Sequence, residues 1–384
     1  MNHPLALDQS KSLLTSHSRH RKVLHLINGE HFSGAERVQD LLALSLPALQ
    51  ADVGFVCLKP GKFPTERQSQ DSELFSLNMK SRMDFRALRR LSRIVEEYDY
   101  ELLHAHTPRS LMVGSLIKRK VGLPLVYHVH SPVGRDTNKS LRNRLNQLVE
   151  TWSARQVDHF VCVSDSLRDY MIGLGHDPAK ISTVPNGVAI VPDVPERTTP
   201  AGCWTLGTTA LFRPRKGTEV LLQALSMLRQ QGINVRLLAV GPFESDEYEA
   251  KVKSLACELS VEDAVEWTGF TNDVNSQFQR MDAFVLPSLF GEGLPMVILE
   301  SMALGVPVIA AEVEGIPQAI RDRQDGLLFA PGAADQLGDR IRELIAGQHD
   351  WQALRRSALE RQRERFSDMS MAKGVARVYA GLLK

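Results

Sequence analysis

The feature that most constrains this chain is a rhythm: short, largely apolar runs alternate with longer stretches of helical spacing, and the pattern occurs twice. The first set of runs is Val23–Ile27, Val53–Leu58, Leu102–Ala105, Leu125–Val129, Phe160–Val163 and Ile181–Val184. The second is Trp204–Ala210, Val235–Val240, Val265–Thr268, Ala283–Pro287, Val306–Ala310 and Gly326–Phe329. Runs this short and apolar predict strands buried on both faces, which is how parallel sheets flanked by helices are built. Between the sets lies Val191–Pro200, where Pro192, Pro195 and Pro200 hold the backbone extended and exclude helix. The expected organisation is therefore a disordered polar tail (1–21), an α/β unit (22–190), a linker (191–200) and a second α/β unit (201–366). The last segment (367–384) is helical, has no strand after it, and is free to cross back onto the first unit. At 384 residues the chain is also too long for a single hydrophobic core.

Open parallel sheets bind ligands beyond the carboxyl ends of their strands, and two such sheets facing each other enclose a cleft. Charge sharpens the choice of ligand. The whole chain carries a net +1, which argues against a nucleic-acid-coating protein. The first 190 residues hold 25 Lys+Arg against 19 Asp+Glu, and the remainder 21 against 26, so the two units present opposite signs. No run of eighteen apolar residues predicts a membrane span, and the polar start lacks the apolar stretch of a secretory signal. Cys57, Cys162, Cys203 and Cys257 are far apart and are expected as reduced thiols in a cytoplasmic protein.

The most informative stretch runs from Asp282 to Ala310. A buried strand ends at Pro287, a loop with Gly291 and Gly293 follows, Pro295 is expected as the first helical residue, and Gly305 closes the helix. Glu292 lies in the loop. Glu300 lies among Val297, Ile298, Leu299 and Met302, where a carboxylate either turns to solvent or needs donors such as sugar hydroxyls. The loop amides and helix start offer a polar, partly positive pocket.

This stretch resembles the paired-glutamate signature of retaining GT-B glycosyltransferases of family 4, the glycosyl transferases group 1. Further segments match in order: Ser33–Val38 with Gly34, Leu103–Pro108 with His104 and His106, Tyr127–Pro132 with His128 and His130, and Val184–Val188. Lys216-Gly217, Val240-Gly241, Gly269-Phe270, Glu314–Gln318 and Asp325–Phe329 continue the series. The resemblance implies a GT-B fold, two doubly wound Rossmann-like domains facing a cleft, with acceptor bound in front and nucleotide sugar behind. It implies that Glu300 accepts hydrogen bonds from the donor ribose. Glu292 touches the transferred sugar, with the backbone of Gly293, Leu294, Pro295 and Met296 assisting. Gly241 lines the donor site, and Lys216 meets the diphosphate. His130 faces the reaction centre; Gly34 and His106 serve the acceptor or phosphate side.

Two positions depart from the pattern. The arginine usual five or six residues before the lysine is replaced by Ala210 and Leu211; Arg213 or Arg215 can supply that charge, and Arg213 is preferred. Gln318 stands where Glu is common. The many histidines lack a helical i, i+4 pair or a cysteine partner, so no metal and no cofactor is expected. The implied reaction moves a sugar from a nucleotide-diphosphate donor to an acceptor hydroxyl, in bacterial polysaccharide, lipopolysaccharide or glycolipid assembly. A sugar-nucleotide epimerase of the same architecture is the alternative. A basic segment, Arg135–Arg144, opening a helix expected over Leu141–Ala154, reads first as an ordinary solvated helix face; the alternative is peripheral contact with anionic lipid at the inner face of the cytoplasmic membrane, where the resemblance implies lipid-linked acceptors.

Overall fold

The structure, a computed structural model, describes residues 20–81, 84–132 and 151–383. Two wholly parallel sheets form the cores of two lobes. The front sheet contains β1 (Arg21–Ile27), β2 (Ala51–Cys57), β3 (Leu74–Ser76), β4 (Leu102–Ala105), β5 (Leu125–Val129), β6 (His159–Cys162) and β7 (Ile181–Thr183). Its spatial order is β3-β2-β1-β4-β5-β6-β7. The rear sheet contains β8 (Trp204–Thr209), β9 (Val235–Val240), β10 (Val265–Gly269), β11 (Ala283–Leu286), β12 (Val308–Ala311) and β13 (Gly326–Phe329). Its order is β10-β9-β8-β11-β12-β13.

Each order reverses direction once, between β1 and β4 in front and between β8 and β11 behind. Helices leave opposite faces of the sheet on either side of such a reversal, which opens a crevice at the strand ends. The loops that follow β1, β4, β8 and β11 carry Gly34, His106, Lys216 and Glu292. The fold thus delivers the candidate residues to its two natural binding crevices.

Twelve strands coincide with the apolar runs, with ends shifted by a residue or two. The thirteenth, β3, is a three-residue edge strand whose side chains are only half-buried, so it shows no apolar run to read. Residues 191–200 are not a free tether. Arg197 donates to the Met281 carbonyl and pairs with Asp282, both at 2.6 Å, while Arg355 donates to the Pro195 carbonyl and fastens the segment to the rear lobe.

The helix Asp368–Leu382 crosses back and packs on the front lobe. Where the chain returns, Val188 and Ser367 form a parallel bridge: Val188 N–H donates to the Phe366 carbonyl (2.9 Å) and Asp368 N–H to that of Val188 (3.0 Å). The connection between lobes is therefore two strands held side by side. Residues 1–19 and the basic stretch Arg135–Arg144 lie outside the described residues, as does most of the helix expected over Leu141–Ala154.

Candidate functional site

Glu292 sits in the loop after β11 and is 5% exposed. Three groups converge on its Oε1: Lys216 Nζ at 2.5 Å, the Ser288 hydroxyl, which donates at 2.6 Å, and the Arg215 guanidinium at 3.9 Å. The loop holding Lys216 is set by Gly217, whose φ of +68° and closeness to the Pro287 carbonyl admit no side chain; a Cβ there would lie 2.0 Å from that oxygen. Arg215 is fixed as well. It donates to the carbonyls of Gly291 (3.0 Å) and Phe290 (3.3 Å), so it braces the glutamate's own loop. Arg213, the preferred arginine from the sequence, turns away and faces Glu244 at 3.6 Å. Pro214–Lys216 is a single 3-10 turn, in which successive side chains step by about 120°, so Arg213 and Arg215 diverge and it is Arg215 that reaches the loop of Glu292.

Glu300 is 7% exposed, so the carboxylate does not turn to solvent. Its Oε1 pairs with the guanidinium of Arg37, which reaches across from the front lobe, and its Oε2 is buried without a hydrogen-bond partner. An unpartnered buried carboxylate oxygen is costly, and a hydroxyl donor would relieve it. Pro295 is the N-cap, with extended backbone, and the helix runs Met296–Ala303, one residue later than expected. Gly305 follows its end with φ +64°.

The two lobes meet closely here. The front-lobe helix Gly34–Ser45 starts opposite the rear-lobe helix: a Cβ on Gly34 would lie 3.9 Å from Met296 Cγ. Two helix starts facing one hollow both contribute partial positive charge, a setting suited to an anion such as a diphosphate. Gly293 packs on the carbonyl of His130, which a Cβ would approach to 2.0 Å. Asn186 Nδ2 donates to the Leu294 carbonyl at 2.8 Å. Gln318 Oε1 accepts from the Asp165 N–H at 2.7 Å, so this departure from the family pattern joins the lobes. Gly241, at the end of β9 with φ +125°, is pressed against the Ala210 carbonyl and stands at the strand ends without touching either glutamate.

Behind His130 lies a stack of histidines. His106 Nδ1 is 3.1 Å from His130 Nε2, and the rings of His128 and His130 stack at 4.5 Å. His25 and His104 are register neighbours on β1 and β4; the Tyr379 hydroxyl from the returning helix bonds His25 Nε2 at 3.0 Å and His104 Nδ1 at 2.6 Å. Burial lowers every one of these histidines, His25 to about 3 and His130 to about 4. They are neutral at neutral pH. His128 has both ring nitrogens buried without a hydrogen-bond partner.

Parallel strands bring these histidines together without any helical spacing, which the sequence could not show. His25, His104 and His106, and likewise His106, His128 and His130, each offer ring nitrogens within 4.8 Å of one another. The second trio is poorly disposed for a metal, because its rings lie within about 31° of parallel and lone pairs in parallel planes do not converge. Neither trio includes a carboxylate.

The sequence missed Arg37, Ser288 and Tyr379. Arg37 stands three residues after Gly34 in a segment that was singled out, but its partner is 263 positions away.

The family description Glycosyl transferases group 1 matches residues 200–365, and Glycosyltransferase Family 4 matches residues 32–190. The phosphatidyl-myo-inositol mannosyltransferase of Mycobacterium leprae is 28% identical over 267 residues, covering 67% of each chain. The UDP-Gal:alpha-D-GlcNAc-diphosphoundecaprenol alpha-1,3-galactosyltransferase of Escherichia coli is 23% identical over 330 residues, 80% of this chain and 84% of that one. Among solved structures, Anabaena HepE in complex with UDP superposes with a TM-score of 0.80 at 22% identity, covering 94% of this chain and all of that one.

Proposed function

Since the chain belongs, lobe by lobe, to the glycosyl transferases group 1 and Glycosyltransferase Family 4 families and has their GT-B architecture, we propose that it is a retaining, metal-independent transferase using a nucleoside-diphosphate sugar. The observation that carries this reading is the loop after β11: Lys216 and Arg215 converge on its buried Glu292, the His130 carbonyl lies against its Gly293, and the helix it leads into carries buried Glu300.

In the proposed mechanism the ribose hydroxyls donate to Glu300, whose Oε2 has no other partner. The transferred sugar lies against Glu292 and the backbone of Gly293 to Met296. The bond between the anomeric carbon and the diphosphate oxygen breaks, and negative charge grows on that oxygen. Lys216 and Arg215 are already in place to meet it, so they stabilise the transition state more than the bound substrate. The acceptor oxygen attacks the face the diphosphate leaves, and its proton passes to the departing phosphate oxygen. Neutral His130, held by His106, orients the acceptor or a phosphate oxygen.

The curated relatives transfer mannose or galactose to lipid-linked acceptors by their names, which supports a glycan or lipid-linked acceptor here. No helix among the described residues is long and apolar enough to cross a membrane. We place the enzyme in the cytoplasm, touching anionic lipid at the inner face through its basic front lobe. The relatives are named as transferases, which disfavours the epimerase reading.

The test is a screen of nucleotide sugars for thermal stabilisation, followed by NMR of the product formed on a polyprenyl- or phosphatidylinositol-linked acceptor. Transfer with the donor's anomeric configuration kept, unchanged by EDTA, is expected. An inverted product, or interconversion of the donor without acceptor, would overturn the reading.

A further inference from the structure

Each of the two carboxylates in the hollow is already held by a cation. Glu292 is held by Lys216 and Arg215 from its own lobe, but Glu300 is held by Arg37 from the opposite one. Arg37 is not locked by packing. Its side chain is 39% exposed, on the first turn of the helix Gly34–Ser45. That turn is anchored independently of Arg37: the Ser33 hydroxyl donates to Glu36 at 2.6 Å and the Ser33 N–H donates to the same oxygen at 3.2 Å. The guanidinium is thus a partly exposed cation on an anchored turn, paired with Glu300 of the opposite lobe.

A nucleoside-diphosphate sugar carries both complements of these ion pairs. Its hydroxyls satisfy carboxylates, and its phosphates satisfy cations. A ribose brings two vicinal hydroxyls: the free Oε2 of Glu300 accepts one, and the second competes with Arg37 for Oε1, which releases the guanidinium toward the newly arrived diphosphate. A planar guanidinium binds phosphate oxygens in pairs, so the exchange replaces one charge-assisted contact by another.

We propose that Arg37 is a donor-binding residue of the front lobe: it occupies Glu300 in the empty enzyme and transfers to the donor diphosphate when the ribose takes its place. This rests on the functional reading above and deepens it, because it gives the front lobe a charged contact with the donor diphosphate. It also gives Glu300 a resting partner, so that no bare buried carboxylate waits for substrate.

The exchange makes opposite predictions for the two parts of the donor. Loss of Arg37 removes a competitor of the ribose and a ligand of the diphosphate. Binding to wild type, Arg37→Ala, Arg37→Lys and Glu300→Ala is measured by calorimetry with UDP against uridine and GDP against guanosine. The pair that wild type binds more tightly is the one used. For Arg37→Ala the diphosphate should bind roughly tenfold more weakly while the nucleoside binds as well as before or better. Arg37→Lys should recover part of the diphosphate affinity. Equal weakening of both ligands, or no change in either, would show that Arg37 only props the lobes and would overturn the proposal. If Glu300→Ala weakens nucleoside binding while Arg37→Ala changes nothing, only this inference fails. If no nucleotide binds wild type and Glu300→Ala has no effect, the functional reading fails with it.

Discussion

On the proposed mechanism Glu300 and Lys216 have separable tasks. Glu300→Ala removes acceptors for ribose hydroxyls and should raise the donor KM roughly ten- to a hundredfold with a smaller change in kcat. Lys216→Ala removes a fixed cation from the departing diphosphate and should lower kcat about a hundredfold or more. Steady-state kinetics distinguishes the two, and a pure KM effect at Lys216 would contradict its placement. The buried histidines predict a pH dependence of stability. Their folded values lie below the ordinary 6.5, so between 6.5 and those values the unfolded chain binds more protons than the folded one. Stability should be insensitive to them above pH 6.5 and fall as the pH drops toward about 4 and then 3. Melting curves across this range test it; a Tm that stays level from pH 6.5 to 4 refutes it. Glu292, Glu300 and Lys216 could be singled out from sequence because they lie in the segments that follow β8 and β11, whereas the cation that pairs with Glu300 comes from the other lobe. The choice between Arg213 and Arg215 was not, since it depends on how the 3-10 turn Pro214–Lys216 fans its side chains.

The elements that matter most are the loop after β11 and the helix it opens. Gly293 lies against the His130 carbonyl, and a methyl group there would sit 2.0 Å from that oxygen. Gly293→Ala must therefore displace either the loop or the front lobe. It should lower transfer activity at least tenfold, through misplacement of reacting groups, while leaving the secondary structure intact. Activity with a circular-dichroism control is the measurement, and normal turnover would show that the lobes do not work at this separation. Strands with apolar runs were legible because burial on both faces removes polar residues. β3 escaped, since an edge strand of three half-buried residues has no such signature. The start of the helix Met296–Ala303 was misread by one residue because Pro295 suits either the cap or the first turn.

At the scale of the molecule, the front lobe is built from both ends of the described chain. Tyr379 bonds His25 and His104 across 354 and 275 positions. Tyr379→Phe leaves these buried nitrogens without their partner and should cost about 1–3 kcal/mol, measured by urea unfolding. A variant as stable as wild type would mean that other groups satisfy the histidines. The two-lobe plan was legible from the repeated alternation and the prolines near 191–200. The pairing of Val188 with Ser367 was not, because nothing local in either segment marks the other as its neighbour. That same return of the chain has a consequence during synthesis. The ribosome delivers the rear lobe whole before it delivers the helix that finishes the front one, so β1 and β4 wait, with His25 and His104 unpaired, until the final turn has left the exit tunnel. A nascent chain that has released the rear lobe but not this helix therefore carries a front lobe whose His25 and His104 still lack the Tyr379 hydroxyl.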